Sequence, residues 1–317
     1  MSVAPAVSRP QVHAVTRPPL KLVEPVSESY NGTHLLFRLL RRCHWGPELL
    51  NLGWYRFGSP VATIWNCLGN LSDGQRRLVR KAAEYLDIQP GSRVLDVASG
   101  RGGSSFVMKC IFPQSEVCGL DLLPEHIELA ERIYAGEPGL SFQQGNAQDL
   151  PFLEGSFDRV MCCEAAFHFP DRAQFVSEAA RVLKPGGKLA IVDFVWKSAE
   201  ARQTGAGPQS QFCRDNWQWS DLALAEEYLE AGHRAGLQLV KRVDWTNNVT
   251  MPVQRMLELN IKLLNHPWGR KLLLASYPLL ETFSKADAEY LRDVTRSHGF
   301  VGQLSRYEVF VFQKPAG

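Results

Sequence analysis

Apolar positions along the chain recur at two spacings, which predict alternating strands and helices. Short apolar runs that end in turn residues predict five strands, at 93–98, 116–121, 140–143, 157–163 and 188–194. Two later runs predict strands at 238–245 and 307–313. A helical stripe predicts a helix that begins at Ser72. Asp171 is the predicted cap of another helix, which ends at the turn residues 184–187.

Strands that alternate with helices at this spacing form right-handed crossover units. The pattern therefore predicts an α/β fold with a doubly wound, mostly parallel sheet, which binds ligands at the carboxyl ends of its strands. The segments 29–71 and 248–300 break the alternation, and we interpret them as helical covers over those ends. The predicted organisation is a flexible tail over 1–28, a helical cover over 29–71, and one domain over 72–317 with lid insertions at about 197–230 and 248–300.

Composition narrows the classes of function. The 317 residues carry 35 Lys and Arg against 33 Asp and Glu, and a net charge of +2 gives no general attraction for nucleic acid or an anionic membrane. The seven cysteines have no CxxC spacing, so we expect reduced thiols in a cytoplasmic protein and no metal site. No apolar run approaches the roughly 20 residues of a membrane-spanning helix. Residues 1–28 lack the continuous apolar core of a secretory signal, and an organelle transit peptide is the alternative, although the prolines oppose its amphipathic helix.

The stretch VLDVASGRGG at 94–103 ends an apolar strand in an acid and then in small residues. Small residues let a ligand approach the backbone, and the start of the next helix offers free amide donors. The spacing is neither the GxGxxG dinucleotide fingerprint nor a phosphate loop that ends in GKS or GKT. A plain strand-to-helix turn is the alternative interpretation. The candidate cofactor residues of this loop are Asp96, Ala98, Ser99, Gly100 and Gly102.

Two polar residues follow the neighbouring strands. Asp121 ends the second strand, where a carboxylate can accept both hydroxyls of a ribose. Asn146 follows the third strand, where an amide can meet an adenine edge. Leu122 and Ala147 come next to them and complete the predicted site. A glycine-rich turn, a ribose acid and an adenine-side amide describe an adenosine carrier that needs no pyrophosphate, which we identify as S-adenosylmethionine.

Five motifs in order resemble the class I S-adenosylmethionine-dependent methyltransferases, in the group that includes ubiquinone, menaquinone, sterol, tocopherol, sugar and polyketide methyltransferases. The motifs are VLDVASGRGG, VCGLD, GNAQDLPFLEGSFD, CCEAAFHFPD and RVLKPGGKLAIVDF. The resemblance covers about 73–194 and implies a Rossmann-like, seven-stranded sheet whose last strand, 307–313, is antiparallel. The sequence departs from the family at Ala98, where Gly is usual, at Arg101, where a small residue is usual, and at Asn146, where Asp is usual.

Upstream, LNLGWY at 50–55 resembles the family's segment that closes over the methionine end of the cofactor and the acceptor. This resemblance implies that Tyr55 contacts the cofactor and Trp54 the acceptor. The alternative is an amphipathic aromatic turn without a ligand.

Methyl transfer from a sulfonium mainly requires the nucleophile to be held in line with the methyl group. An alcohol or phenol also needs a base, and an alkene needs one after a cation has formed. The candidate catalytic residues follow the fourth and fifth strands and are Glu164, His168 and Asp193. The resemblance implies that Glu164 serves carbon acceptors and His168 oxygen acceptors, with Asp193 able to orient the imidazole. A cofactor contact or a structural role is the alternative for each.

Aromatic residues near the lid segments predict a lipophilic acceptor. The candidate pocket residues are Phe167, Trp196, Trp217 and Trp219, and the apolar lid helices also suit core packing or a homodimer contact. We predict methyl transfer to carbon or oxygen of a phenol, quinone, polyketide or isoprenoid, with S-adenosylhomocysteine as product and no nucleic-acid partner. One alternative is methylation of a prenyl diphosphate, which Arg38, Arg41 and Arg42 could bind. The others are small-molecule N-methylation and a cofactor-binding cyclase or structural subunit.

Overall fold

A computed structural model of the chain describes residues 49–56, 71–219, 221–276 and 284–317. The predicted tail 1–28, most of the predicted cover 29–71, and Arg38, Arg41 and Arg42 lie outside the described residues. Within those ranges, no helix is long and apolar enough to cross a membrane.

Eight strands and ten helices make up the described secondary structure. The strands are β1 Arg93–Val97, β2 Glu116–Asp121, β3 Leu140–Gln144, β4 Phe157–Cys163, β5 Leu183–Trp196, β6 Ala223–Leu224, β7 Gln238–Asp244 and β8 Ser305–Gln313. The helices are α1 Leu71–Leu86, α2 Gly103–Ile111, α3 Pro124–Ile133, α4 Arg172–Val182, α5 Ala199–Gly205, α6 Gln211–Trp217, α7 Ala225–Arg234, α8 Thr250–Leu264, α9 Pro267–Ser276 and α10 Lys285–Leu304. Two short 3-10 turns are Ala166–His168 and Pro208–Ser210.

The strands form one mixed sheet in the order β3-β2-β1-β4-β5-β8-β7, and the two-residue β6 pairs with β5. β1 is parallel to both β2 and β4, whereas β8 is antiparallel to β5 and β7. The doubly wound sheet with an antiparallel last strand is therefore confirmed. The chain leaves β1 toward β2 and later returns to β4 on the other side of β1. The carboxyl ends of β1 and β4 thus flank the topological switch point, where such sheets bind ligands.

Apolar side chains cover both faces of the sheet. On one face, Phe175 of α4 and Tyr228 of α7 are buried in the same cluster as Phe310 of β8. On the other face, Leu78 of α1 and Met108 of α2 are fully buried. Helices on both faces are what the alternating sequence pattern requires.

Five strands, β1, β3, β5, β7 and β8, differ from the predicted bounds at one or both ends, and the differences at the end of β1 and the start of β5 have identifiable reasons. β1 ends one residue early because Ala98 adopts a left-handed backbone, with φ of 57°. β5 begins at Leu183 because the predicted turn at 184–187 pairs with the end of the chain. There, the Gly186 N–H donates to the Lys314 carbonyl at 2.9 Å, and the Lys314 N–H donates to the Gly187 carbonyl at 2.9 Å.

The predicted lid insertions lie only partly over the strand ends. α7 overlaps the first insertion but packs on a face of the sheet through Tyr228. α8 opens the second insertion, yet Val253 belongs to the core of the opposite face. The parts that meet over the sheet are α6 and α10, where Cys213 and Val301 share an apolar cluster with Trp196 at the end of β5.

Candidate active site

The loop after β1 is shaped by an internal carboxylate and by left-handed backbone. Asp96 is buried and accepts hydrogen bonds from the hydroxyls of Ser104 at 2.5 Å and Ser105 at 2.7 Å. Burial raises its pKa to about 6. Asp96 therefore holds the first turn of α2 in place through the hydroxyls of Ser104 and Ser105.

Three residues of this loop adopt left-handed backbone. Their φ angles are 57° at Ala98, 56° at Gly100 and 83° at Gly102. At Gly102 an added Cβ would lie 2.7 Å from the ring of Phe142 and 2.9 Å from Ala130. Glycine is required there by both the conformation and the space. Gly102, like Asp96, supports the loop and does not line the cavity described next.

A cavity of about 200 Å3 opens at the carboxyl ends of β1, β2 and β4, and we call it the β1–β4 cavity. Nine of the predicted site residues line it: Ala98, Ser99, Gly100, Asp121, Leu122, Asn146, Ala147, Glu164 and His168. Two polar atoms of lining residues, Oγ of Ser99 and Oδ1 of Asn51, are buried and have no hydrogen-bond partner among the described residues.

Asp121 is the acid of this cavity and is held rigidly. One carboxylate oxygen accepts the Gly100 N–H at 2.8 Å. The other accepts the Leu123 N–H at 3.0 Å and faces Nδ1 of His126 at 3.1 Å. The carboxylate thus ties the glycine loop to the start of α3 and remains part of the cavity wall.

Glu164 follows β4 directly and adopts left-handed backbone, with φ of 51°. Its N–H donates to the Val192 carbonyl at 2.7 Å, which anchors the bend on β5. Its carboxylate accepts the Leu52 N–H at 3.0 Å and the Tyr307 hydroxyl at 2.6 Å. Desolvation in this position outweighs both hydrogen bonds and raises the pKa of Glu164 to about 8.

A second cavity, of about 40 Å3, lies beneath α6 and α10, and we call it the lid cavity. Leu50 and Glu164 line both cavities, so they stand at the junction between them. The other walls are almost entirely apolar and comprise Leu52, Phe167, Phe194, Cys213, Trp217, Trp219, Leu222, His298 and Val301. Three of the predicted acceptor residues, Phe167, Trp217 and Trp219, therefore share one cavity.

His168 lies in the wall of the β1–β4 cavity, and its tautomer follows from its partner. Its Nδ1 lies 3.2 Å from the Gln218 carbonyl oxygen, which can only accept, so Nδ1 carries the proton in a neutral ring. Burial lowers the pKa of His168 to about 4.

Asp193 differs from its predicted place beside His168. It is fully buried and accepts the Tyr228 hydroxyl at 2.5 Å and the Phe194 N–H at 2.9 Å. Burial raises its pKa to about 7. Asp193 lines neither cavity, because its carboxylate points into the core between β5 and α7, and its observed bonds are structural.

Trp54, Tyr55 and Trp196 also lie away from the positions that we predicted. Tyr55 is buried in the core face that contains α1, with its backbone N–H donating to the Asn248 carbonyl at 2.7 Å. Trp54 packs against the same cluster, and Nζ of Lys81 lies 4.5 Å from its ring centre. Trp196 lies behind Trp219, with ring centres 5.8 Å apart. None of the three lines either described cavity.

Comparison with known proteins agrees with this geometry. The model of the family described as a methyltransferase domain matches residues 95–191. The O-methyltransferase resE of Aspergillus sclerotiorum is 31% identical over 202 residues, which are 62% of this chain and 74% of that protein. The chain belongs to the class I S-adenosylmethionine-dependent methyltransferases.

Other matches show how far the similarity to known methyltransferases extends in sequence, in fold and in length. The tocopherol O-methyltransferase of Arabidopsis thaliana is 27% identical over 71% of this chain and 66% of that protein. The crystal structure of the 4+2 cyclase SpnF has a TM-score of 0.65 at 20% identity, and the match covers 92% of this chain and 96% of that one. At this identity the likeness concerns the fold. The chain spans about half the length of several curated relatives, from 46% to 54% of each.

The β1–β4 cavity fits the cofactor of this methyltransferase family. S-adenosylmethionine carries ribose hydroxyls, an adenine edge, and amino and carboxylate groups. The cavity wall includes the side chains of Asp121 and Asn146 together with Ser99 and Asn51. The donors and acceptors in this wall are therefore of the kinds that the cofactor needs.

The sequence interpretation missed four functional candidates in this methyltransferase. Leu50 and Asn51 line the β1–β4 cavity, three to five residues before the aromatic pair that we predicted there. Tyr307 contacts Glu164 from a strand that is 143 residues away in sequence. His298 lines the lid cavity from α10. The LNLGWY motif was a usable signal for Leu50 and Asn51, whereas Tyr307 and His298 stand in no motif.

Proposed function

We propose that the chain transfers a methyl group from S-adenosylmethionine to an oxygen or carbon atom of a lipophilic small molecule. The observation that carries this proposal is the position of Glu164, which lines both cavities. A base at that junction reaches an acceptor in the lid cavity while it also borders the site that fits the cofactor.

In this proposal the β1–β4 cavity holds the cofactor. Asp121 accepts hydrogen bonds from the ribose hydroxyls, and Asn146 with Ala147 and Leu122 borders the adenine. Ser99 and Asn51 bind the polar groups of the methionine part, beside the glycine loop. When bound, S-adenosylmethionine supplies a methyl group on a positively charged sulfur, and the protein supplies position and a proton acceptor.

Two candidate bases differ strongly in basicity, and the difference favours Glu164. The pKa is about 8 for Glu164 and about 4 for His168. A difference of about four in pKa corresponds to about 5 kcal/mol in the free energy of accepting a proton. Glu164 therefore accepts the proton of a phenol or alcohol, or the proton released by a carbocation, more readily. His168 then contacts ligand or orients the loop around Gln218.

The lid cavity supports a lipophilic acceptor. Its walls combine aromatic rings of Phe167, Trp217 and Trp219 with aliphatic side chains. Such walls exclude water from the reacting atoms and bind an apolar molecule by burial of its surface. The rings also stabilise a cation, which keeps carbon acceptors within this proposal.

The test is incubation of the chain with methyl-labelled S-adenosylmethionine and a panel of phenols, quinones, polyketides, sterols and prenyl diphosphates, followed by mass spectrometry. We expect label on oxygen or carbon of one class, and near-complete loss of transfer in Glu164→Gln while S-adenosylhomocysteine still binds. Tight cofactor binding without transfer to any acceptor, including cell extracts, would favour a cyclase or structural role. Glu164→Gln with normal turnover would remove Glu164 as the base.

Location and assembly form a second part of the proposal. We infer a cytoplasmic protein from its cysteines, since the five cysteines in the described ranges are free thiols. α9 exposes Trp268 and Leu272, whose side chains are 73% and 50% exposed. This apolar pair supports a homodimer through the lid helices. Light scattering of the wild type and of Trp268→Ala tests the assembly, and a monomeric wild type would contradict it.

A further inference from the structure

The lid cavity contains one polar side chain that the proposed reaction does not use. Apart from Glu164 at the junction, the described walls of this cavity carry aliphatic and aromatic groups, one cysteine and His298. His298 comes from α10, and its ring centre lies 6.0 Å from that of Trp217 in an edge-to-face arrangement. An imidazole is an unusual wall for a cavity that only has to hold hydrocarbon.

The residue before His298 fixes its place. The Ser297 hydroxyl donates to the Gln209 carbonyl at 3.0 Å and accepts the Cys213 N–H at 3.1 Å. These two bonds join α10 to α6 and to the turn that precedes α6. Cys213 and His298 both belong to the cavity wall, so these bonds hold this part of the wall at a defined position.

His298 has no hydrogen-bond partner among the described residues, and its ring is partly buried. Burial lowers its pKa to about 4, so the ring is neutral near pH 7. A neutral imidazole has one N–H donor and one nitrogen acceptor. A ligand hydroxyl or carbonyl in the cavity would pair with at least one of these two nitrogens.

We infer that His298 is the polar anchor of the acceptor site, and that the acceptor is an apolar molecule with a hydroxyl or carbonyl oxygen that pairs with this imidazole. This inference rests on the proposed function only in taking the lid cavity as the acceptor site. It divides the acceptor classes, since a phenol, quinone or hydroxylated polyketide carries such an oxygen and a plain hydrocarbon does not.

The experiment compares two probes of similar size, 2-naphthol and 2-methylnaphthalene, by equilibrium dialysis against the full chain with and without saturating S-adenosylhomocysteine. The wild type should bind 2-naphthol about three to ten times more tightly, the range expected for one neutral hydrogen bond. His298→Phe should bring the two affinities together by weakening only 2-naphthol. His298→Gln, which keeps a donor and an acceptor, should retain part of the preference.

The controls separate this anchor from other polar groups and from a structural role. His233→Phe changes an exposed histidine on α7 and should leave both affinities unchanged. A preference that survives in His298→Phe but disappears in Glu164→Gln would overturn the inference in favour of Glu164. Equal weakening of both probes in His298→Phe, or a wild type that binds neither probe, would also overturn it.

The outcomes for this site and for the proposed function are distinguishable. If the preference for 2-naphthol depends on His298 but no methyl transfer is found, the binding site is supported and the proposed transferase activity is refuted. If His298→Phe changes neither methyl transfer nor the preference for 2-naphthol, the proposed activity is supported and the role of His298 as anchor is refuted.

Discussion

The hydroxyl of Tyr307 should set the pH at which Glu164 becomes a base. Tyr307 is fully buried on β8 and donates to the Glu164 carboxylate at 2.6 Å. Tyr307→Phe removes this donor and keeps the ring, which lies edge-on to Phe194 with ring centres 5.0 Å apart. The Leu52 N–H then remains as the described donor to the carboxylate.

The size of the effect follows from the lost bond. A hydrogen bond to a charged group contributes about 1.5 kcal/mol or more, so its loss should raise the pKa of Glu164 by about one. The pKa starts at about 8, and at pH 8 half of the carboxyls are ionised. In Tyr307→Phe the ionised fraction at pH 8 should fall to about one tenth, since each pKa unit is a factor of ten.

The assay needs no knowledge of the acceptor. Protein labelled with carbon-13 at glutamate carboxyls is titrated by NMR, and the Glu164 signal is identified by its absence in Glu164→Gln. We expect a midpoint near pH 8 in the wild type and a higher midpoint in Tyr307→Phe. Once an acceptor is known, the alkaline rise of the rate should move by the same amount.

A matched variant separates this effect from general damage to the core. Tyr228→Phe removes the hydroxyl from another buried tyrosine, which donates to Asp193 at 2.5 Å. We expect it to lower stability and leave the Glu164 midpoint in place. A Glu164 midpoint that stays near pH 8 in Tyr307→Phe, or that moves equally in Tyr228→Phe, would refute the reasoning.

Three further predictions test the cofactor wall, the burial of Glu164 and the glycine loop. Asp121→Asn should weaken binding of S-adenosylhomocysteine roughly 10- to 100-fold in calorimetry, the loss of one or two charged hydrogen bonds, and unchanged affinity would remove the ribose assignment. Glu164→Gln should be more stable than the wild type above about pH 5. The Glu164 carboxyl ionises near pH 4.5 in the unfolded chain and near pH 8 in the folded one, so the wild type loses folding stability as the pH rises between those values. The gain should reach at most about 5 kcal/mol at pH 8 and vanish near pH 4 in denaturant titrations, and a gain that does not depend on pH would contradict it. Gly102→Ala should lower the free energy of unfolding by about 1–3 kcal/mol more than Gly136→Ala does. Both glycines have left-handed backbone, but only at Gly102 would the added Cβ meet a ring at 2.7 Å. Equal losses of stability in the two variants would show that space at Gly102 is not limiting.

Local sequence patterns predicted the elements that depend on local physics. The bounds of β2 and β4 follow from apolar runs that end in acids, and Asp171 caps α4 by accepting the Gln174 N–H at 2.9 Å. The wall of the β1–β4 cavity was predictable for the same reason, because Ser99, Asp121 and Asn146 each stand at or just after the carboxyl end of a strand. In a parallel sheet, carboxyl ends of neighbouring strands meet at one edge, so order along the chain already implies proximity.

The part of the site around Glu164 depends on contacts between segments that are distant in sequence. A single sequence gives no information on such contacts. Glu164 receives the Leu52 N–H across 112 residues and the Tyr307 hydroxyl across 143. Neither donor stands out locally, since one is a backbone group and the other a tyrosine in an apolar strand. The same limit explains Asp193, whose partner Tyr228 could not be inferred from β5 alone and whose carboxylate points into the core.

Backbone strain connects the two halves of the site. Ala98 and Glu164 both have left-handed backbone, which costs a residue with a side chain about 1 kcal/mol, and they follow β1 and β4 on either side of the switch point. At Ala98 this conformation is one that glycine adopts at lower cost, which agrees with the glycine that the family resemblance implies there. At Glu164 a glycine would also relieve the strain, but in the proposed function it would remove the carboxylate from the junction of the two cavities. The bond from the Glu164 N–H to the Val192 carbonyl holds the bend in place, so under this proposal the strain at Glu164 accompanies the placement of a base.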